Sequence, residues 1–158
     1  MEKINIGLQE NELNKTVQIL NTLLADEYVL YTKTRNYHWN VVGPQFNDLH
    51  KFFQGQYEAI DATIDEVAER TRTLGGMPIA TLTEFMKNTK LNEKPGDRTA
   101  ANVMIGNLLE DHQTIIRSLR TDIEKTMNEY HDAGTSDFLT GIMEEHEKMA
   151  WMLRSFLN

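Results

Sequence analysis

Apolar residues recur at steps of three and four along most of the chain, and the runs in which they do so mark its elements. From Asn11 to about Asn40, Leu13, Val17, Leu20, Leu23, Leu24, Val29, Leu30 and Tyr37 keep the helical period with no glycine or proline among them, which predicts a long first helix. Val41-Val42-Gly43-Pro44 breaks the pattern. A second stripe, Leu49, Phe53, Tyr57, Ile60, Ile64, Val67 and Ala68, runs from Phe46 to Leu74 and stops at Gly75-Gly76, with Pro78 beyond. A left-handed glycine after the last turn, then a proline that cannot extend the helix, is a strong stop signal. Between Met77 and Asp97 the periodicity weakens, apart from a short helix over Thr83 to Lys87 capped by Thr81 or Thr83. Asp97 reads as the N-cap of a third long helix carrying Ala100, Val103, Met104, Leu108, Ile115, Ile116, Leu119 and Ile123. Gly134 and Thr135 punctuate the chain before a fourth stripe of Phe138, Ile142, Met149, Met152, Leu153 and Phe156.

Two long helices in a tight hairpin, a long connection, then two more long helices predict an all-α four-helix bundle. The segment from Gly75 to Gly96 exceeds an ordinary helix connection, so it reads as a crossover with a short extra helix between helices 2 and 3, as in ferritin-like folds. A chain of 158 residues suits one domain over 1–158, long enough to bury a core without disulfides. The start, Met1-Glu2-Lys3-Ile4-Asn5-Ile6-Gly7, has neither a basic nor an apolar leader region, and no stretch is apolar for the length a bilayer needs, so a cytoplasmic protein with no membrane partner is expected. The net charge of -8 disfavours unspecific contact with phosphate backbones and favours attraction of cations. The absence of cysteine removes disulfides, thiolate ligands and thiol catalysis together.

Chemistry concentrates in His38, His50, Asp65 and Glu69. Asp65 and Glu69 are four apart and so share one face of the second helix, about 60° around from His50 for Asp65. Yet fifteen residues of helix separate His50 from Asp65 by roughly 22 Å. No single metal spans that gap. If two chains pack this helix antiparallel about a two-fold axis, the histidines of one meet the carboxylates of the other, and each dimer holds two sites. Mixed imidazole and carboxylate donors suit Fe(II), with zinc as a non-native occupant. Taken singly, an Asp-Glu pair reads as a solvated face and a histidine near a helix end as a cap; the joint spacing is what points to metal. Glu-x-x-His, the hallmark of intrachain di-iron bundles, is absent: Leu109, Asn128 and Met143 stand three residues before His112, His131 and His146.

Asn36-Tyr37-His38-Trp39-Asn40-Val41, Gly43-Pro44-Gln45-Phe46, His50 and Asp65-Glu66-Val67-Ala68-Glu69-Arg70 with Leu74-Gly75-Gly76 resemble the Dps family, mini-ferritins of the ferritin-like superfamily. The likeness extends to the run Met143 to Leu153. It implies a shell of twelve identical subunits, a homododecamer, with ferroxidase sites at two-fold interfaces. His38 and His50 of one chain and Asp65 and Glu69 of its partner would bind Fe(II), Glu69 as the bridging ligand. Hydrogen peroxide would be the preferred oxidant and the Fe(III) product would be stored as mineral, protecting the cell from oxidative damage. The family's usual acid one turn after the second histidine is here Gln54, which adds no negative charge at the second iron position. Trp39 lies near the site in the family, as interceptor of oxidising equivalents or as interface packing. Asp132 and Asp137 fall where the family places cation-conducting pores; on composition alone they read as a helix-start charge.

The other function class is a DNA-compacting nucleoid protein with secondary metal binding. Lysine-rich tails carry that activity in the family. Here Glu2, Glu10 and Glu12 offset Lys3 and Lys15, and the chain ends Arg154-Ser155-Phe156-Leu157-Asn158. Lys87, Lys90, Lys94 and Arg98 make a mildly basic crossover diluted by Glu93 and Asp97, so weak or absent DNA binding is expected.

Overall fold

The first stripe folds as one uninterrupted helix, α1 (Glu10–Asn40). Its first turn is closed by Glu12, whose carboxylate accepts the Gln9 backbone N–H at 2.8 Å, and Val41 ends it in an extended conformation. The computed structural model describes residues 4–96 and 99–157. The second stripe forms α2 (Phe46–Thr73), which stops as its glycines require. Gly75 takes φ +78°, its N–H donates to the Arg72 carbonyl at 2.9 Å, and the Gly76 N–H donates to the Thr71 carbonyl at 3.0 Å. This pair of bonds satisfies the last carbonyls of α2. Gly76 is needed for a second reason: a Cβ there would lie 2.6 Å from a Val17 methyl, so only glycine lets α1 come this close.

The crossover carries α3 (Leu82–Asn88), and the cap is Thr81. The Thr81 N–H donates to Glu84 Oε2 at 3.0 Å while the Glu84 N–H donates to Thr81 Oγ1 at 3.3 Å. The Thr81 hydroxyl and then the Ala80 and Thr81 amides hold the Glu84 carboxyl below its ordinary range. The crossover is laced to α1 along its length. Asn21 bonds the Met77 carbonyl at 3.2 Å and the Ile79 N–H at 3.0 Å, Tyr28 stacks on Phe85 at 4.3 Å, and Asp26 Oδ1 accepts the Thr89 hydroxyl at 2.8 Å and the Lys90 N–H at 2.6 Å.

Helix α4 (Ala101–Asn128) follows Ala100, which offers no side-chain cap; the expected cap, Asp97, lies outside the described residues. Helix α5 (Ala133–Ser155) begins before the expected punctuation, so Gly134 and Thr135 sit in its first turn. The reason is Asp132, whose Oδ1 accepts the Thr135 N–H at 2.9 Å and caps the helix. The described residues are thus helical with no strand, α1 pairing with α2 and α4 with α5. One core joins the pairs. Leu20, Leu24, Phe53, Ile60, Leu108 and Leu139 are among its fully buried side chains, each stabilising the fold by about 1.5–3 kcal/mol relative to exposure. Among the described residues no helix is long and apolar enough to cross a membrane.

Candidate metal centre

The hairpin between α1 and α2 brings the last turn of one against the first turn of the other, and there His38 and His50 meet. Their rings stack with centroids 3.8 Å apart and planes 21° from parallel. Each ring bonds the other's backbone: His38 Nδ1 lies 2.7 Å from the His50 carbonyl and His50 Nδ1 lies 2.9 Å from the His38 carbonyl. A carbonyl oxygen only accepts, so both Nδ1 atoms carry protons, and in the neutral rings both Nε2 atoms carry lone pairs. A histidine held at Nδ1 by a carbonyl, with Nε2 bare, is the orientation that metal ligands adopt. Tyr57 stands edge-on to His38 at 5.3 Å and Phe46 lies 5.2 Å from the His50 ring, walling the pair on two sides.

Asp65 and Glu69 are exposed further along α2. Within one chain they stay apart from the histidines, and among the described residues no three His, Asp or Glu side chains gather to hold a metal. Arg70, next to Glu69, turns inward: its Nε and Nη2 donate to Thr135 Oγ1 at 3.1 and 2.9 Å, and Nη2 also reaches Asp132 Oδ1 at 3.3 Å. The end of α2 is thereby tied to the start of α5 while Glu69 faces outward.

The remaining expected residues divide. Gln54 donates its amide N–H to Glu58 Oε1 at 2.8 Å, which leaves its carbonyl oxygen as the free end. Trp39 is 65% exposed beyond the histidines, with the Arg35 guanidinium 5.2 Å from its ring and 5.3 Å from that of Tyr57. Asp132 is buried within its own chain and engaged with Thr135 and Arg70, and Asp137 is exposed. The Asp-x-x-Thr spacing at the head of α5 was the sequence signal for that cap.

The apolar stripes also carry polar residues in phase with the core. Glu27, His112 and His146 fall in step with the apolar stripes, between Leu24 and Leu30, Leu108 and Ile115, and Ile142 and Met149, and all three are buried. Asp111 is buried beside them and paired with Lys33 Nζ at 2.6 Å.

A family model of the ferritin-like domain matches residues 17–158. The chain is also 42% identical to DNA protection during starvation protein 2 of Bacillus anthracis, over 92% of this chain and 99% of that one. The chain belongs to the Dps family of ferritin-like proteins. A low temperature-induced protein of Nostoc is 48% identical to this Dps-family chain over 99% of it and 88% of the Nostoc protein. Among solved structures, DpsC from Streptomyces coelicolor superposes with a TM-score of 0.96 at 28% identity, covering 99% of this chain and 91% of DpsC. Dps from Vibrio cholerae, described as a member of a broad superfamily of ferritin-like diiron-carboxylate proteins, superposes with a TM-score of 0.92 at 32% identity, covering 100% and 98%. The expected all-α, ferritin-like architecture with a helix in the crossover is the one this Dps-family chain adopts.

Proposed function

We propose that this single-domain Dps-family protein oxidises and stores iron in the cytoplasm. Fe(II) is its substrate, taken at sites between two chains by His38 and His50 of one and Asp65 and Glu69 of the partner subunit, in a homododecameric shell. The observation that carries this reading is the reciprocal histidine clasp, which fixes both rings through Nδ1 and leaves both Nε2 atoms to bind. The exposure of Asp65 and Glu69, well away from their own chain's histidines, is what an intersubunit site requires. Two neutral nitrogens and two carboxylates supply two negative charges, which suits a divalent iron and permits its oxidation to Fe(III). Zinc fits the same donors as a redox-inert competitor.

With hydrogen peroxide as the preferred oxidant, two Fe(II) each give one electron to one peroxide. The O–O bond breaks, two protons are taken up from solvent, both oxygens leave as water, and no radical is released. Glu69 bridges the two iron positions. The second position takes the Gln54 carbonyl oxygen where an acid is usual, so it binds iron more weakly than the first. Asp137 remains the candidate for guiding cations inward, and Trp39 the candidate for intercepting stray oxidising equivalents. DNA compaction finds less support: the net charge of -8 repels the duplex, so weak or absent binding at physiological salt is expected.

Stopped-flow oxidation of Fe(II) by peroxide tests the site. His50→Ala and Asp65→Ala each slow it about tenfold or more. A chain of each kind meeting at one interface keeps one intact site of two, so a statistical mixture recovers about a quarter of the wild-type rate. Wild-type rates in both variants would remove these residues from the site, and a mixture no faster than its components would remove the intersubunit arrangement.

A further inference from the structure

The bundle interior contains a polar line that the metal centre does not use. Glu27 on α1, His146 on α5 and His112 on α4 are 0%, 1% and 0% exposed. His146 Nε2 lies 2.7 Å from Glu27 Oε1, and the Nδ1 atoms of His146 and His112 lie 2.8 Å apart. Beyond each end an atom is left over: Glu27 Oε2 and His112 Nε2 are both buried with no hydrogen-bond partner. Three helices thus each place one titratable side chain in a single row across a dry core. The donors stand in a line rather than around a point, and no three of them converge as a metal requires, so the species this row is built to hold is the proton.

The two contacts limit how many protons fit. An ionised Glu27 only accepts, so His146 Nε2 bears a hydrogen. The Nδ1 to Nδ1 contact needs one donor and one acceptor, so it holds one hydrogen, not two. The intact row therefore accommodates at most one charged imidazole. Burial, and then the neighbouring His146, push the basicity of His112 well below its ordinary value. A second imidazolium would set N–H against N–H at this separation. Beyond Glu27 no buried carboxylate is free to receive it. On the buried faces of the helices the other titratable groups are Asp26, Tyr37 and His38 on α1 and Asp111 on α4, with Asp132 at the head of α5; α2 and α3 bury none. Asp26 is bound by Thr89 and Lys90, Asp111 by Lys33, Asp132 by Arg70 and Thr135.

We propose that Glu27, His146 and His112 form an acid-sensitive latch, which fastens α1, α4 and α5 while at most one imidazole is charged and releases them when both are. The latch lies within one chain and stands independently of the intersubunit iron site. It converts a fall in pH into opening of the bundle centre rather than a surface change.

The test uses the full-length protein. Opening is measured by hydrogen–deuterium exchange of the α5 peptide containing His146, from pH 8 to 4.5, with exchange at the imidazole C2–H of each histidine read by mass spectrometry. In the wild type the opening constant rises about tenfold per pH unit below about 6.5, because the open form binds a proton that the closed form refuses. His112→Gln, neutral at every pH and able to meet His146 Nδ1 with either its amide oxygen or its amide N–H, loses that dependence, whereas His50→Ala keeps it. Glu27→Gln supplies a second variant should His112→Gln not fold: without the counter-charge the closed row refuses both protons, so the opening constant rises more steeply than in the wild type, toward about a hundredfold per pH unit. An unchanged slope in either variant overturns the latch. So does cobalt absorption at one ion per chain that survives His50→Ala and vanishes in His112→Gln, which would make the row a metal site.

Discussion

Replacing Asp132 by alanine separates two roles for one carboxylate, a helix cap and a cation guide. Three contacts disappear. The cap bond to the Thr135 N–H at 2.9 Å is worth about 1 kcal/mol. The bond from the Thr135 hydroxyl at 2.6 Å, with both groups buried, is worth about another 1 kcal/mol. The contact with Arg70 is longer, 3.3 Å, and Arg70 keeps Thr135 Oγ1 as an acceptor, so its loss adds no more than about 0.5–1 kcal/mol. The expected destabilisation is about 2–3 kcal/mol, which for a chain of this length lowers the melting midpoint by about 4–12 °C. Circular dichroism melting at fixed protein concentration measures it, with Asp137→Ala, on the exposed side of α5, expected within about 0.5 kcal/mol of wild type. At 25 °C the initial rate of Fe(II) uptake by Asp132→Ala should match wild type. A midpoint within one degree of wild type together with slowed uptake would refute the cap and return Asp132 to the channel.

Two further outcomes follow from close contacts and burial. Gly76→Ala forces a Cβ to 2.6 and 2.8 Å from the Val17 methyls, so urea denaturation should show a loss of about 1–3 kcal/mol, partly recovered when combined with Val17→Ala; an unchanged midpoint would mean that α1 does not approach this turn. Asp26 is raised above the ordinary carboxyl range chiefly by burial, opposed by the Lys90 N–H and the Thr89 hydroxyl. A raised carboxyl holds its proton more tightly in the folded state, so its contribution is fully present below the unfolded value of 3.8 and is lost as pH rises through the folded one. The stability of Asp26→Asn relative to wild type should therefore improve on going from pH 4 to 7, and a flat difference in urea midpoints would show that burial does not control this group.

How far the fold was legible depended on whether the controlling interaction was local. The α2 stop at Gly75-Gly76 was readable because a φ of +78° is a property of glycine itself. The start of α5 was misplaced because Gly134 and Thr135 look like punctuation, whereas the decisive group, Asp132, is also fastened by Arg70, 62 residues away in sequence. At the candidate site the same division appears. A tight hairpin between two long helices brings the end of the first, with His38, beside the start of the second, with His50, but the exchange of hydrogen bonds between each ring and the other's backbone depends on how the hairpin closes. The row of Glu27, His146 and His112 lies in phase with the apolar stripes, but spacing such as Glu-x-x-His relates residues along one helix, while this row crosses three.

The clasp between His38 and His50 gives the connection 41–45 an unusual status. The bonds that orient the two rings are the same bonds that join the end of α1 to the start of α2, so ring direction and hairpin closure are not separate properties. Both bonds require the end of α1 and the start of α2 to keep one register, so a change in the length of the connection that shifts this register breaks both together. The connection supplies none of the proposed ligands, yet its length bears on the proposed site as directly as the imidazoles themselves.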